Sequence, residues 1–127
     1  MPEYEHTLTI DATPDAVFDY VSDPDHLTEY IPNMVLAHAT GDHLRVAADV
    51  QGRHEEGDAW FRADHDHRRL EWGADNPGRY QGWLQVSGSG KTATATIHLT
   101  IERDEDAQQI RDALTQALQN INRAAGA

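Results

Sequence analysis

The stretch RHEEGD, Arg53 to Asp58, sets His54 and Glu55 side by side. Glu55 shares strand parity with Ala59 and Phe61. His54 extends the parity of Val46 and Val50 past Gly52. Proton transfer inside a cavity needs a polar group aimed inward, with a pKa moved by burial. Glu55, His54 and the phenol of Tyr80 are the candidates for that work, but strand-end charges that simply stay hydrated are the preferred reading. A second stretch, DHDHRR, places His65 and His67 two apart with carboxylates beside them. That spacing suits zinc or nickel if both rings fall on one strand face. It lies in a polar turn, and no third or fourth ligand is positioned, so no metal and no cofactor is assigned. His98 sits among threonines and reads as a surface residue. The G-x-S-x-G, HExxH, P-loop and dinucleotide patterns are absent.

The aromatic residues follow the same alternation. Phe61, Trp72, Tyr80 and Leu84 share the inward parity, where a wall can stack on an apolar or aromatic ligand and is also core. Trp60 and Trp83 take the outward parity with Arg62, Gln81 and Gln85. They form a potential exposed patch and dimer surface.

Strands and helices must position these groups. Tyr4 to Ile10 alternates as a half-buried strand. Thr13 caps a helix with Pro14 at its first position, and Asp15 suits the helix dipole. Val17, Phe18 and Val21 make its apolar face. Asp23-Pro24 repeats the device, Leu27, Tyr30 and Ile31 are the second face, and Pro32 stops it. Two short helices of about two turns each result. From Asn33 to Glu102 the period is two. The strands are Met34–Ala39, His43–Gln51, His54–Ala63, Arg69–Ala74, Arg79–Ser87 and Thr92–Glu102, broken by turn chemistry such as TGD, QGR and SGSGK. Connections this short make an antiparallel meander. A third helix runs from Glu105 to about Ala125, with Asp106 and Gln109 as a capping box. Its stripe is Ile110, Leu114, Ala117, Leu118 and Ile121.

The sheet must bury its apolar face, and one long helix can cover it. The expected fold is α+β, a curved antiparallel sheet of about seven strands (β-α-α-β6-α) wrapped around the C-terminal helix. The short helices close one end of the groove and bring Phe18, Tyr30, Ile31 and Met34 to its mouth. Small inward residues (Ala48, Ala59, Ala93, Ala95) leave room for a ligand or let the helix pack closely, and close packing is the preferred reading.

The 127 residues make about one domain, spanning 1–127. There is no cysteine, which excludes disulfides and thiolate chemistry. The net charge is −12, and the one lysine is Lys91. Such a surface repels phosphate backbones and anionic lipid headgroups, so nucleic acid is not an expected partner. No apolar run approaches the ~18 residues of a membrane span, and the N-terminus lacks a secretory pattern. A cytoplasmic protein without membrane insertion is expected.

IDATPDAVFDYVSDP followed by LTEYIP resembles the first helices of the START-like superfamily (SRPBCC, Bet v 1-like), above all its bacterial polyketide cyclase/dehydrase branch. RRLEW at 68–72 and YQGWLQV at 80–86 are similar to that branch's middle strands. The resemblance implies a helix-grip fold with a hydrophobic cavity between sheet and C-terminal helix. An apolar or aromatic small molecule, lipid-like or polyketide-like, is then the expected ligand. Its contacts would be Phe18, Tyr30, Ile31, Met34, Val46, Phe61, Trp72, Tyr80, Leu84, Leu114 and Leu118. A polyketide aromatase/cyclase or dehydratase-like enzyme using the same cavity is the alternative. A protein-interaction module using the acidic or Trp60/Trp83 surface is a third reading. The expected state is a monomer or a homodimer.

Overall fold

The computed structural model describes residues 3–31, 34–41, 43–50, 53–74, 80–88, 90–101 and 107–125. Strand β1 (Glu3–Ile10) leads into helix α1 (Pro14–Val21). A 3-10 turn (Pro24–His26) and helix α2 (Leu27–Tyr30) follow. Then come β2 (Met34–Thr40), β3 (His43–Val50), β4 (Arg53–Asp64), β5 (Arg69–Ala74), β6 (Tyr80–Ser87), β7 (Ala93–Ile101) and helix α3 (Ala107–Ala125). The seven strands form one antiparallel sheet in the order β1-β7-β6-β5-β4-β3-β2. This is the expected helix-grip arrangement. The meander keeps sequence neighbours together, and β1 closes back onto β7.

The proline devices act as the residue types demand. Thr13 Oγ1 accepts from the Ala16 amide at 3.2 Å, with Pro14 in the first turn. Asp23 Oδ1 accepts from the Asp25 amide at 2.9 Å. Here the expectation of a second two-turn α-helix is corrected. Asp23-Pro24 opens a tight 3-10 turn, and only Leu27–Tyr30 is α-helical. Tyr30 then locks the pair: it is buried, and its hydroxyl donates to the Val21 carbonyl at 2.9 Å. Burial pushes this phenol's pKa upward, so it remains a neutral donor.

α3 packs on β1, α1 and α2, with β7 beyond. Leu114, Ala117, Leu118 and Ile121 are its buried stripe. Two polar contacts fix its C-terminal half. Asn120 Nδ2 donates to the Tyr30 carbonyl at 3.3 Å, and Asn122 Oδ1 accepts from the Asp11 amide at 3.4 Å. Asp106 and the side chain of Gln109, the capping pair, lie outside the described residues.

Candidate functional site

The inner face of the sheet divides in two. At β6, β7 and the end of β1, under α1 and α3, the packing is close: Ile10, Ala95 and Leu118 are 0% exposed, and Leu84, Val86 and Ala93 nearly so, with Leu8 on β1 partly buried. Ala93 and Ala95 are thus small because the helices come close, as expected. At β2, β3 and β4 the inward residues stay half-buried. The register sets Ala37 opposite Val46, Val46 opposite Gly57, and Ala39 opposite Leu44, itself opposite Ala59. Leu44 is covered, yet Ala37, Ala39, Val46, Gly57 and Ala59 each keep part of their surface open. A Cβ built on Gly57 meets no atom within 4 Å. Space therefore stands over this arm of the sheet.

Trp72, on β5 opposite Phe61, is half-buried. It lies opposite Gly82, where a Cβ would come within 2.8 Å of its Cζ2 and 2.7 Å of the His98 carbonyl. The glycine lets the indole lie across β6 toward Leu99. Ile31 and Met34 are half-buried at the α2–β2 junction. Phe18, Tyr30, Leu84, Leu114 and Leu118 are packed into the closed end, and Phe61 is 7% exposed between the two regions. The ligand contacts expected from sequence thus separate into a packed set and an accessible set of Ile31, Met34, Val46 and Trp72. The register places His54 opposite Asp49, Glu55 opposite Ala48 and Tyr80 opposite Ile101. The side chains of His54, Glu55 and Tyr80 lie outside the described residues.

The turn between β4 and β5 closes over α1. The His65 ring meets Phe18 edge-on at 5.1 Å, while His67 Nδ1 contacts Asp64 Oδ2 at 2.7 Å. The two histidines are therefore engaged separately. Among the described residues no group of three His, Asp or Glu side chains is arranged to hold a metal ion. Arg68, with φ of 50°, donates through Nε to Asp15 Oδ1 at 2.7 Å and ties the turn to the first turn of α1.

The outer face requires two corrections. Trp60 and Trp83 do take the outward parity, but both are half-buried rather than a bare patch. The Trp60 indole lies over Gly73 on β5, where a Cβ would fall 2.6 Å from its Nε1. Trp83 stacks on His98 at 5.1 Å between ring centres, and the Arg69 guanidinium lies 4.5 Å from its own ring. His98 is likewise not a freely solvated residue. Its side chain is 19% exposed, with Nε2 3.4 Å from Glu3 and Nδ1 3.2 Å from Glu5.

A family model described as polyketide cyclase/dehydrase and lipid transport matches residues 1–126. The chain belongs to that family, whose functions are small-molecule binding or polyketide cyclase-type conversion. The fold matches that of TTHA0849 from Thermus thermophilus, with a TM-score of 0.82 at 16% identity over 98% of this chain and 97% of that one. It also matches the di-domain ARO/CYC StfQ from the steffimycin biosynthetic pathway, with a TM-score of 0.80 at 18% identity over 97% of this chain and 45% of that one. A START superfamily protein from Mycobacterium smegmatis aligns with a TM-score of 0.68 at 12% identity, covering 96% and 92%. No curated protein sequence matches the chain. Among the described residues no helix is long and apolar enough to cross a membrane.

Proposed function

We propose that this family member acts as a single ligand-binding domain for an apolar or aromatic small molecule, lipid-like or polyketide-like. The molecule lies over the inner face of β2–β4. The observation that carries this reading is the open space above Gly57, flanked by half-buried Val46 and Ala59. An apolar wall left partly uncovered gains free energy by excluding water, at about 25 cal/mol per Å² covered. Trp72 offers an indole on β5, and Ile31 and Met34 offer adaptable apolar contacts by the short helices. The resemblance to the ARO/CYC fold supports a polyketide-like ligand as one class to test.

The test is a titration with a neutral naphthylamine fluorophore, then displacement by fatty acids and polycyclic phenols. Saturable binding is expected. Gly57→Val fills the space from a strand position without steric conflict and is expected to weaken binding about tenfold, the equivalent of ~1.4 kcal/mol. Equal affinity in the wild type and Gly57→Val, or no saturable binding by any probe, overturns the proposal.

A further inference from the structure

The outer face carries a second concavity, a groove of about 340 Å³ on the opposite side of the sheet from the proposed cavity. Its walls include the indoles of Trp60 and Trp83, the carboxylates of Glu3 and Glu71, the Gln81 amide and the Thr100 hydroxyl. The cross-strand register gives it a direction. Trp60 faces Gly73, Gly73 faces Gln81, Gln81 faces Thr100, and Thr100 faces Glu3. The groove therefore runs across the strands, from β4 to β1. Glu71 on β5 and Glu3 on β1 stand three strand spacings apart across the sheet and two residues apart along it, about 16 Å on the diagonal.

The walls are held in place before any ligand arrives. Trp83 is flanked by His98 and Arg69. Arg69 Nε is 3.0 Å from Glu71 Oε1, and its Nη1 donates to Gln85 Oε1 at 3.4 Å. His98 is held by Glu3 and Glu5. Glu71 meets Arg69, and Glu3 meets His98, each through its Oε1. Among the described residues the Gln81 and Thr100 side chains have no hydrogen-bond partner. The groove is thus rich in acceptors and lined by π-systems; its two carboxylates sit beside two basic side chains, Arg69 and His98, and among the described residues each keeps its Oε2 without a partner.

That chemistry selects a donor-rich cation with an apolar stem. The separation of the carboxylates selects a long one. We propose that the groove binds a linear aliphatic polyamine, laid across β5, β6 and β7, with its terminal ammonium groups at Glu71 and Glu3. Its methylenes cover the edge of Trp83. The ammonium nearest Trp60 gains a cation–π contact. The net charge of −12 raises the local concentration of such cations.

The test is tryptophan fluorescence at low salt, with indole N–H signals followed by NMR to locate the site. Spermidine is expected to bind saturably and to shift the Trp60 and Trp83 signals. Putrescine, too short to bridge, should bind about fivefold more weakly, and Glu71→Gln and Glu3→Gln should each weaken spermidine about two- to fivefold. Gly57→Val should leave spermidine binding unchanged, so failure here and failure of the inner cavity are read separately. Non-saturable binding, or equal binding by wild type and both glutamine variants, marks general counterion attraction and overturns the proposal. Tighter binding of an oligolysine peptide than of spermidine also overturns it, by pointing to a basic protein instead.

Discussion

The two halves of the inner face use one alternation pattern to opposite ends. On β6 and β7, Leu84, Val86 and Ile97 alternate with polar residues and are closed off by α1 and α3. On β2, β3 and β4, Ala37, Val46, Gly57 and Ala59 alternate equally well and remain half-covered. The difference lies in side-chain size and in where the helix sits. α3 is held on β1 by its own stripe, with Asn122 bonded to Asp11 just past the strand and Asn120 bonded to Tyr30 of α2. A curled sheet then carries β2–β4 away from it, and small residues do not reach back across the gap. One half supplies stability and the other supplies space.

The largest test of this division compares truncations in the two halves. Leu118→Ala opens a cavity in the packed half, where the residue is 0% exposed, and should cost about 2–5 kcal/mol in denaturant unfolding. Val46→Ala removes half-covered methyls and should cost about 1 kcal/mol or less. Equal costs would mean that the β2–β4 arm is packed like the rest.

The glycines give the next largest contrast. Gly82→Ala would set a Cβ 2.7 Å from a backbone carbonyl and against both Trp72 and Leu99, so relief requires the strands to separate. A cost of about 1–3 kcal/mol is expected. The nearest atoms to a Cβ in Gly73→Ala all belong to the Trp60 side chain, which can swing outward. It should cost less and should raise the solvent exposure of Trp60, read by fluorescence quenching. Gly57→Val meets nothing and replaces a flexible strand residue. It should raise stability by about 0.5 kcal/mol while reducing ligand binding.

Alternation and turn chemistry make the meander from β2 to β7, the Thr13 cap and the parity of the tryptophans legible from the residues alone. They do not show how far each tryptophan is covered. An indole lies flat when a glycine stands opposite, and that needs register. Once YQGW is aligned against RLEWGA, the Trp72–Gly82 pair is visible, and the Trp60–Gly73 pair follows. The setting of His98 is hidden for a similar reason. Glu5 lies 93 positions away in sequence, and it comes beside His98, with Glu3, only when β1 pairs with β7. The uneven spacing of α3 over the sheet is illegible for a deeper reason. Periodicity says which face is buried, not what lies above it.

The smallest expected effect concerns how the half-covered arm is held together. β3 and β4 lack full packing beneath, and their outer face carries Arg45 Nη1 to Asp58 Oδ1 at 3.2 Å and His43 Nε2 to the same oxygen at 3.1 Å. The Arg45 hydrogen bond, then the one from His43, holds the Asp58 carboxyl below its ordinary value of 3.8. A carboxyl depressed in the folded state contributes stability that is fully present above its unfolded pKa. That contribution is lost as pH falls through the lower folded value. The contacts are exposed, so the effect is small and screened by salt. Hydrogen exchange should show β3–β4 amides losing protection relative to β6–β7 as pH drops below about 4. Asp58→Asn should remove that pH dependence while leaving β6–β7 unchanged. Uniform loss of protection across the sheet would mean that the two halves open together, and that the space above Gly57 is not a separately held region.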